Sequence, residues 1–253
     1  MNFWQICLNI LSTYGQSFLL GIRMTLLISL SGTLIGLLIG LMVGGFRAVT
    51  LDYTASTAAK ILKKIFDIIT KIYIDIFRGT PMMVQAVFLY FALLNVIHWD
   101  KLTAAIFVIS INTGAYMAEI IRSGIQAVDK GQTEAARSLG MSNAQTMMEV
   151  VLPQAIINAF PSIGNEFIVN IKDSSVLMII SISDLMFQAK SIAGTTYHFE
   201  QTYFVTAMIY FVLTKTASVI LNFIEKKMNN KTVSLPQSVT DPKNMTLANN
   251  GED

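Results

Sequence analysis

The sequence predicts an all-α integral membrane protein with about five transmembrane helices. Two features carry this expectation. Of 253 residues, 53% are apolar and only 13% charged, well below the roughly one quarter usual in a soluble domain, and the mean hydropathy is +0.55. The apolar residues also arrive in blocks. Ile22–Phe46, Met82–Ile97, Leu102–Ile121 and Tyr203–Ile224 each approach or exceed the roughly 20 residues that cross hydrocarbon as a helix. A fifth, more polar span falls between Val150 and Met186.

Residues 1–15 read as an interfacial segment, with Phe3 and Trp4 suited to the outer membrane boundary. They lack the basic start and small-residue cleavage site of a signal peptide. One transmembrane domain is expected over residues 16–228. Its first span carries Gly32, Gly36, Gly40 and Gly44, a four-residue period that lines one helix face and lets a second helix approach closely. Arg23, early in that span, must snorkel or face protein.

Between Asp52 and Phe77, a stripe of Ile61, Ile65, Ile68, Ile69 and Ile72 predicts a partly interfacial helix. Arg78-Gly79-Thr80-Pro81 ends it, because the residue before proline is driven from the α region. The third span holds Asn112, Tyr116 and Glu119 on one face. In the fourth region Asn158, Ser162, Glu166, Asn170 and Asp173 share a face, and Pro161 is expected to kink or break the helix. A charge at mid-bilayer costs roughly 2.5–3.5 kcal/mol, so Glu119, Glu166, Lys172 and Asp173 must face protein or a wet cavity. For Glu119 a structural ion pair and a functional role are both open. Lys215, near the cytoplasmic end of the last span, reads as snorkelling. The tail, 229–253, is polar and expected to be disordered.

Cations gather in three regions: Arg47 to Arg78, Arg122 to Arg137, and Lys226 to Lys231. The positive-inside rule puts these in the cytoplasm, the N-terminus outside and the C-terminus inside. The net charge of +2 gives no reason to expect nucleic acid. Cys7 is the only cysteine, so neither an internal disulfide nor a cysteine metal cluster can form. His98 and His198 lack metal-ligand spacing, no nucleophile triad is legible, and no phosphate-binding G-x-x-x-x-G-K-[ST] loop is present. No cofactor is expected in this chain and it is not expected to be an enzyme. What stands out is a charged, helix-favouring segment, about 129–147, lodged between apolar spans. A membrane protein with a helix there presents a handle to something in water.

Within that segment, Glu134-Ala135-Ala136, Gly140, Val150 and Leu152-Pro153 resemble the EAA loop of ABC-importer permeases. Arg78-Gly79-Thr80-Pro81-Met82-Met83-Val84-Gln85 resembles the opening of the second core helix in the polar-amino-acid branch. Gly114 to Arg122, Gly131-Gln132, Asn165-Glu166-Phe167-Ile168 and Lys172-Asp173-Ser174-Ser175 are also similar to that branch. The resemblance covers roughly residues 15–228 and holds several motifs in order. It implies a type I ABC importer permease fold, with residues 129–147 as a coupling helix that docks in a groove of a cytoplasmic ATPase. Glu134 would fix that helix, Ala135 and Ala136 would permit close packing, and Gly140 would allow the turn. The implied partners are two ATPase subunits carrying ATP and Mg, a second permease subunit (identical or different), an extracytoplasmic solute-binding protein, and an amino-acid substrate. The implied location is the plasma membrane of a prokaryote.

In basic-amino-acid members, acidic residues matching Glu166 and Asp173 contact substrate. Asn165, Asn170 and Ser174 would be neighbours. The chain departs from the usual pattern at Val176, where Leu is common, and at Ser181 and Asp184, where Gly and Glu are common. The expected substrate is a polar L-amino acid, basic ones or glutamine ahead of acidic ones. A secondary transporter or channel for small polar solutes is the alternative, in which the carboxylates would relay protons. It leaves residues 134–153 without a purpose.

Overall fold

A computed structural model describes residues 2–49, 51 and 55–232, and all regular structure among them is helical. The helices run α1 Phe3–Ala48, α2 Thr57–Gly79, α3 Met82–Ile97, α4 Lys101–Gln126, α5 Lys130–Ser138, a single turn α6 Asn143–Gln145, a π-helical stretch Thr146–Val151, α7 Leu152–Asp173, a 3-10 stretch Ser174–Ile180, α8 Leu185–Thr196 and α9 Phe199–Thr232. Three helices, α1, α4 and α9, are long and apolar enough to cross a membrane alone. Two bent pairs raise the number to as many as five. The first joins α2 to α3 at 115°, and the second joins the run ending at Ile180 to α8 at 57°. The outer surface is apolar, with Leu38, Phe88 and Phe223 exposed, while polar residues such as Ser29, Thr113 and Asn170 are buried. That inversion is what a lipid solvent demands.

The centre of the bundle is the seam between α1 and α4. A Cβ added at Gly36 would lie 2.7 Å from the Thr113 side chain, and one at Gly44 would lie 2.7 Å from the Ala118 carbonyl. Gly32 faces Ile109 and Gly40 faces Met117. The glycine period therefore marks a backbone-to-backbone contact that any side chain would push open. At its start, Asn2 and Gln5 form a capping box. The expected interfacial segment is the first limb of α1, set off by non-helical dihedrals at Tyr14, just before Gly15. Phe3 and Trp4 on that limb meet Phe204 of α9 edge-on at 5.5 and 5.6 Å.

Several expectations change. The isoleucine stripe of α2, expected on a partly interfacial helix, is exposed along its length and faces outward. Helix α7 stays helical through Pro161, whose ring lies on an exposed face while Ile163 and Gly164 pack beside it. One missing hydrogen bond does not outweigh that packing. The break comes later, at Ser181, which takes a left-handed φ of 64° where the related pattern has glycine. Residues 129–147 are not one helix but α5, a turn, α6 and the start of the π stretch. Residues 229–232, expected as the start of a disordered tail, continue α9 to Thr232; the rest of that expectation, residues 233–253, lies outside the described residues.

Candidate functional site

The break between α2 and α3 frees backbone carbonyls in an apolar setting. Gln85 answers them: its Nε2 donates to the Phe77 carbonyl at 2.9 Å, the Thr80 carbonyl at 2.9 Å and Thr80 Oγ1 at 2.8 Å. Asn112 of α4 donates to Gln85 Oε1 at 2.8 Å and to the Phe77 carbonyl at 3.3 Å. The third-span asparagine is thus part of a structural seal.

Glu119, from the same face of α4, closes an ion-pair cluster. It accepts from Arg47 at the end of α1 at 3.1 Å and from Arg122 at 2.7 Å. Of the two roles left open by the sequence, the described contacts are those of an ion pair. Lys63 adds a bond to the Arg47 carbonyl at 3.5 Å and a pair with Asp67 at 2.6 Å. Arg23, Lys172 and Lys215 are exposed, as are His98 and His198. Among the described residues no group of His, Cys, Asp and Glu could hold a metal ion.

Along α7 the five candidate substrate residues divide. Asn170 is fully engaged: its amide donates to Thr33 at 2.8 Å, its Oδ1 accepts from Thr113 at 3.1 Å, and its carbonyl accepts from Ser29 at 3.0 Å. It ties α7 to α1 and α4. Ser174 is buried and donates to the Ile171 carbonyl at 3.0 Å. Asn165 is exposed. Glu166, only 9% exposed, has no hydrogen-bond or ion-pair partner among the described residues, and neither does half-buried Asp173. Seven residues apart, the two carboxylates lie two turns, about 10 Å, apart on one helix face. A buried carboxylate without a counter-charge is costly, and a cationic ligand relieves that cost.

At the far end of the bundle, α5 stands out from the spans. Asp129 caps it by accepting from the Gly131 amide at 2.6 Å. It ends in a Schellman motif: the Met141 amide donates to the Ala136 carbonyl at 3.2 Å and the Gly140 amide to the Arg137 carbonyl at 2.9 Å. Gly140 has φ 83°, a conformation that penalises any side chain. Glu134 and Ala135 face outward, Ala136 is buried, and Leu139 is 85% exposed. Val128, Val151 and Ala155 pack the base of α5 on the π stretch and α7. Pro153 follows that stretch; its lack of an N–H disturbs the ordinary helical ladder, and the Leu152 amide reaches back to the Met147 carbonyl. Leu139 was not singled out from sequence, although its position between Ser138 and a turn-forming glycine was a usable signal.

Residues 32–230 match the family described as binding-protein-dependent transport system inner membrane component. The chain is 35% identical over 211 residues to the glutamine transport system permease protein GlnP of Escherichia coli strain K12, covering 82% of this chain and 91% of that protein. It is 38% identical over 165 residues to the arginine transport system permease protein ArtQ of Bacillus subtilis strain 168, covering 64% of this chain and 74% of that one. Among solved structures, an amino acid ABC transporter crystallised with histidines matches with a TM-score of 0.76 at 38% identity, over 90% of this chain and 99% of that chain. The inward-facing MetNI methionine ABC transporter matches with a TM-score of 0.72 at 19% identity, over 85% of this chain, which shows the shared fold alone.

Proposed function

Because the chain belongs to the family of binding-protein-dependent transport system inner membrane components, we propose that it is the membrane-spanning permease subunit of an ATP-driven importer for polar L-amino acids, with basic amino acids and glutamine preferred. It has the type I ABC importer permease fold. The observation that carries the substrate reading is the pair of unpartnered carboxylates on α7, Glu166 and Asp173. They bind the α-ammonium and a cationic or amide side chain. Asn165 and Ser174 are neighbours of this track, whereas Asn170 holds the helix in place.

The partners are two cytoplasmic ATPase subunits, which carry ATP and Mg, a second permease subunit and an extracytoplasmic solute-binding protein. Helix α5 docks in a groove of the ATPase, with Leu139 as the apolar knob and Glu134, Ala135, Ala136 and Gly140 shaping the helix and its turn. Closure of the ATPase pair on ATP moves this element and shifts the bundle between inward-open and outward-open states. The shift draws on the partner's different affinity for ATP in those two states. The protein spans a prokaryotic plasma membrane with its N-terminus outside and its C-terminus in the cytoplasm, as the three cationic regions support.

The test is ATP-dependent uptake by the complete complex in vesicles, with unlabelled amino acids as competitors. Glutamine or arginine should compete and aspartate should not; a strong preference for aspartate or glutamate overturns the electrostatic reading. Gly140→Val should lower transport-coupled ATP hydrolysis with insertion intact, because the left-handed turn strains a β-branched residue by roughly 1–2 kcal/mol. Unchanged coupling removes α5 from the docking role.

A further inference from the structure

Two cavities adjoin at the end of the bundle that carries α5. The larger, about 400 Å³, is lined by Lys130, Thr133 and Arg137 of α5, by Asn143, and by Thr146 of the π stretch. The smaller, about 290 Å³, is lined by Leu41, Met42, Gly45, Phe46, Met148 and Leu152. Val49, just past the end of α1, and Met147 line both. Their chemistry is opposite. No polar side chain lines the smaller one, and Met42, Phe46 and Met148 are exposed on the outer apolar surface. The charged residues lining the larger one are both cations, and no carboxylate lines either cavity among the described residues. Lys130, Thr133 and Arg137 follow at intervals of three and four, on one face of α5. Lys130 makes no hydrogen bond or ion pair among the described residues. Arg137 donates to Asn143, one use of a group with five donors. Thr146 is an independent sign. It is 2% exposed, and its Oγ1 has no hydrogen-bond partner among the described residues. Thr33, Thr70 and Thr206 return their hydroxyls to the carbonyl four residues back; Thr146 does not. A buried hydroxyl left open is costly, and it points to a partner that the chain does not supply.

A phospholipid joins these two chemistries in one molecule, a phosphate that takes cationic and hydroxyl donors and an acyl chain that takes an apolar trough. We propose that the paired cavities bind one anionic phospholipid, with its phosphate among Lys130, Arg137 and Thr146 and an acyl chain along Met42, Phe46 and Met148. Charge complementarity selects the lipid class. Two cations without a neighbouring carboxylate attract an anionic headgroup and repel the ammonium of a choline or ethanolamine one. A soluble phosphate would fill the first cavity and leave the apolar one beside it without a partner. The inference rests on the orientation proposed above, which puts this end of the bundle at the cytoplasmic leaflet, where anionic lipids set a negative surface potential. A lipid held there joins the back of α5 to the foot of α1 and to the bilayer.

The experiment is native mass spectrometry of the purified complete complex, equilibrated in mixed micelles of phosphatidylglycerol and phosphatidylcholine, with the ratio of retained lipids as the readout. The unaltered complex should retain phosphatidylglycerol in preference. Lys130→Gln combined with Arg137→Gln should cut that preference by roughly 10- to 30-fold. Gly45→Trp should lower retention of phosphatidylglycerol by filling the trough, since a Cβ there meets nothing within 4 Å. Millimolar inorganic phosphate should not displace the lipid. No preference in the unaltered complex overturns the inference, as does a preference that survives loss of both cations. Displacement by inorganic phosphate, or retention indifferent to Gly45→Trp, makes this a soluble-anion site and overturns the lipid assignment. Should the double variant fail to assemble, Lys130→Gln alone carries the charge arm, with a loss of about fivefold. The orientation is read separately, by labelling Leu139→Cys from each side of the membrane. Labelling from outside defeats the orientation, an outcome distinct from a missing lipid preference.

Discussion

Glu119 on α4 and Glu166 on α7 are both carboxylates on helices of the bundle, yet their surroundings are opposite. At the foot of α4, two arginines from different helices close on Glu119. Along α7, Glu166 and Asp173 form no ion pair and accept no hydrogen bond among the described residues. Between them on the same helix, Asn170 has its amide and carbonyl groups engaged. A polar group whose partners are built in is architecture. One left without partners, in a place where that is expensive, fits the proposed contact with a ligand.

The contrast predicts opposite responses to the same chemical change. Glu166→Gln should reduce uptake of the amino acid by roughly 10- to 100-fold, while the thermal midpoint of the complex holds or rises because an uncompensated buried carboxylate has gone. A lowered midpoint with normal uptake reverses the assignment. Glu119→Gln should do the converse. With Arg47 and Arg122 left facing a neutral amide, stability falls by roughly 1.5–3 kcal/mol, measured by denaturation of the assembled complex, and substrate affinity is kept. Asp173→Asn is a finer probe. It should weaken arginine or lysine by about tenfold and leave glutamine nearly unaffected; an equal loss for all three moves Asp173 from the variable side chain to the common backbone.

The smallest effect belongs to Asp100, a carboxylate outside the spans that caps α4. It accepts from the Leu102 amide at 3.0 Å, the Thr103 amide at 3.2 Å and the Thr103 hydroxyl. The Thr103 hydroxyl bond, then its amide, hold the carboxyl below its ordinary range. A depressed folded value means the cap stabilises above the unfolded value near 3.9 and is lost as pH falls through the folded one. A slight destabilisation should appear only in strong acid, and Asp100→Asn should flatten it.

Much of this was legible from the chain. Long apolar blocks fixed the membrane class, Pro81 placed the break before α3, the glycine period gave the α1 contact face, and Gly140 gave the turn after α5. What periodicity cannot supply is the identity of the neighbour across a face. Asn170 looked like Glu166 on a helical wheel, and only the arrival of Thr33 and Thr113 separates them. The exposed isoleucines of α2 formed a true stripe, but a stripe faces lipid as readily as core. Pro161 was expected to kink or break its helix because local chemistry forbids its hydrogen bond; of the two, no break occurs, and α7 runs on through it. Ser181 and Asp184 looked like departures from the related pattern. One occupies the left-handed turn and the other caps α8, accepting from the Phe187 amide at 2.9 Å.

The two amides at the α2–α3 corner have a bearing on leakage. A bent wall in a bilayer normally invites water to solvate its loose carbonyls, and a thread of water conducts protons. Gln85 and Asn112 take that place with side chains that hold no mobile proton at neutral pH. The corner turns through 115° with its Phe77 and Thr80 carbonyls already paired by protein, so those two carbonyls need no water as a partner where the wall bends most.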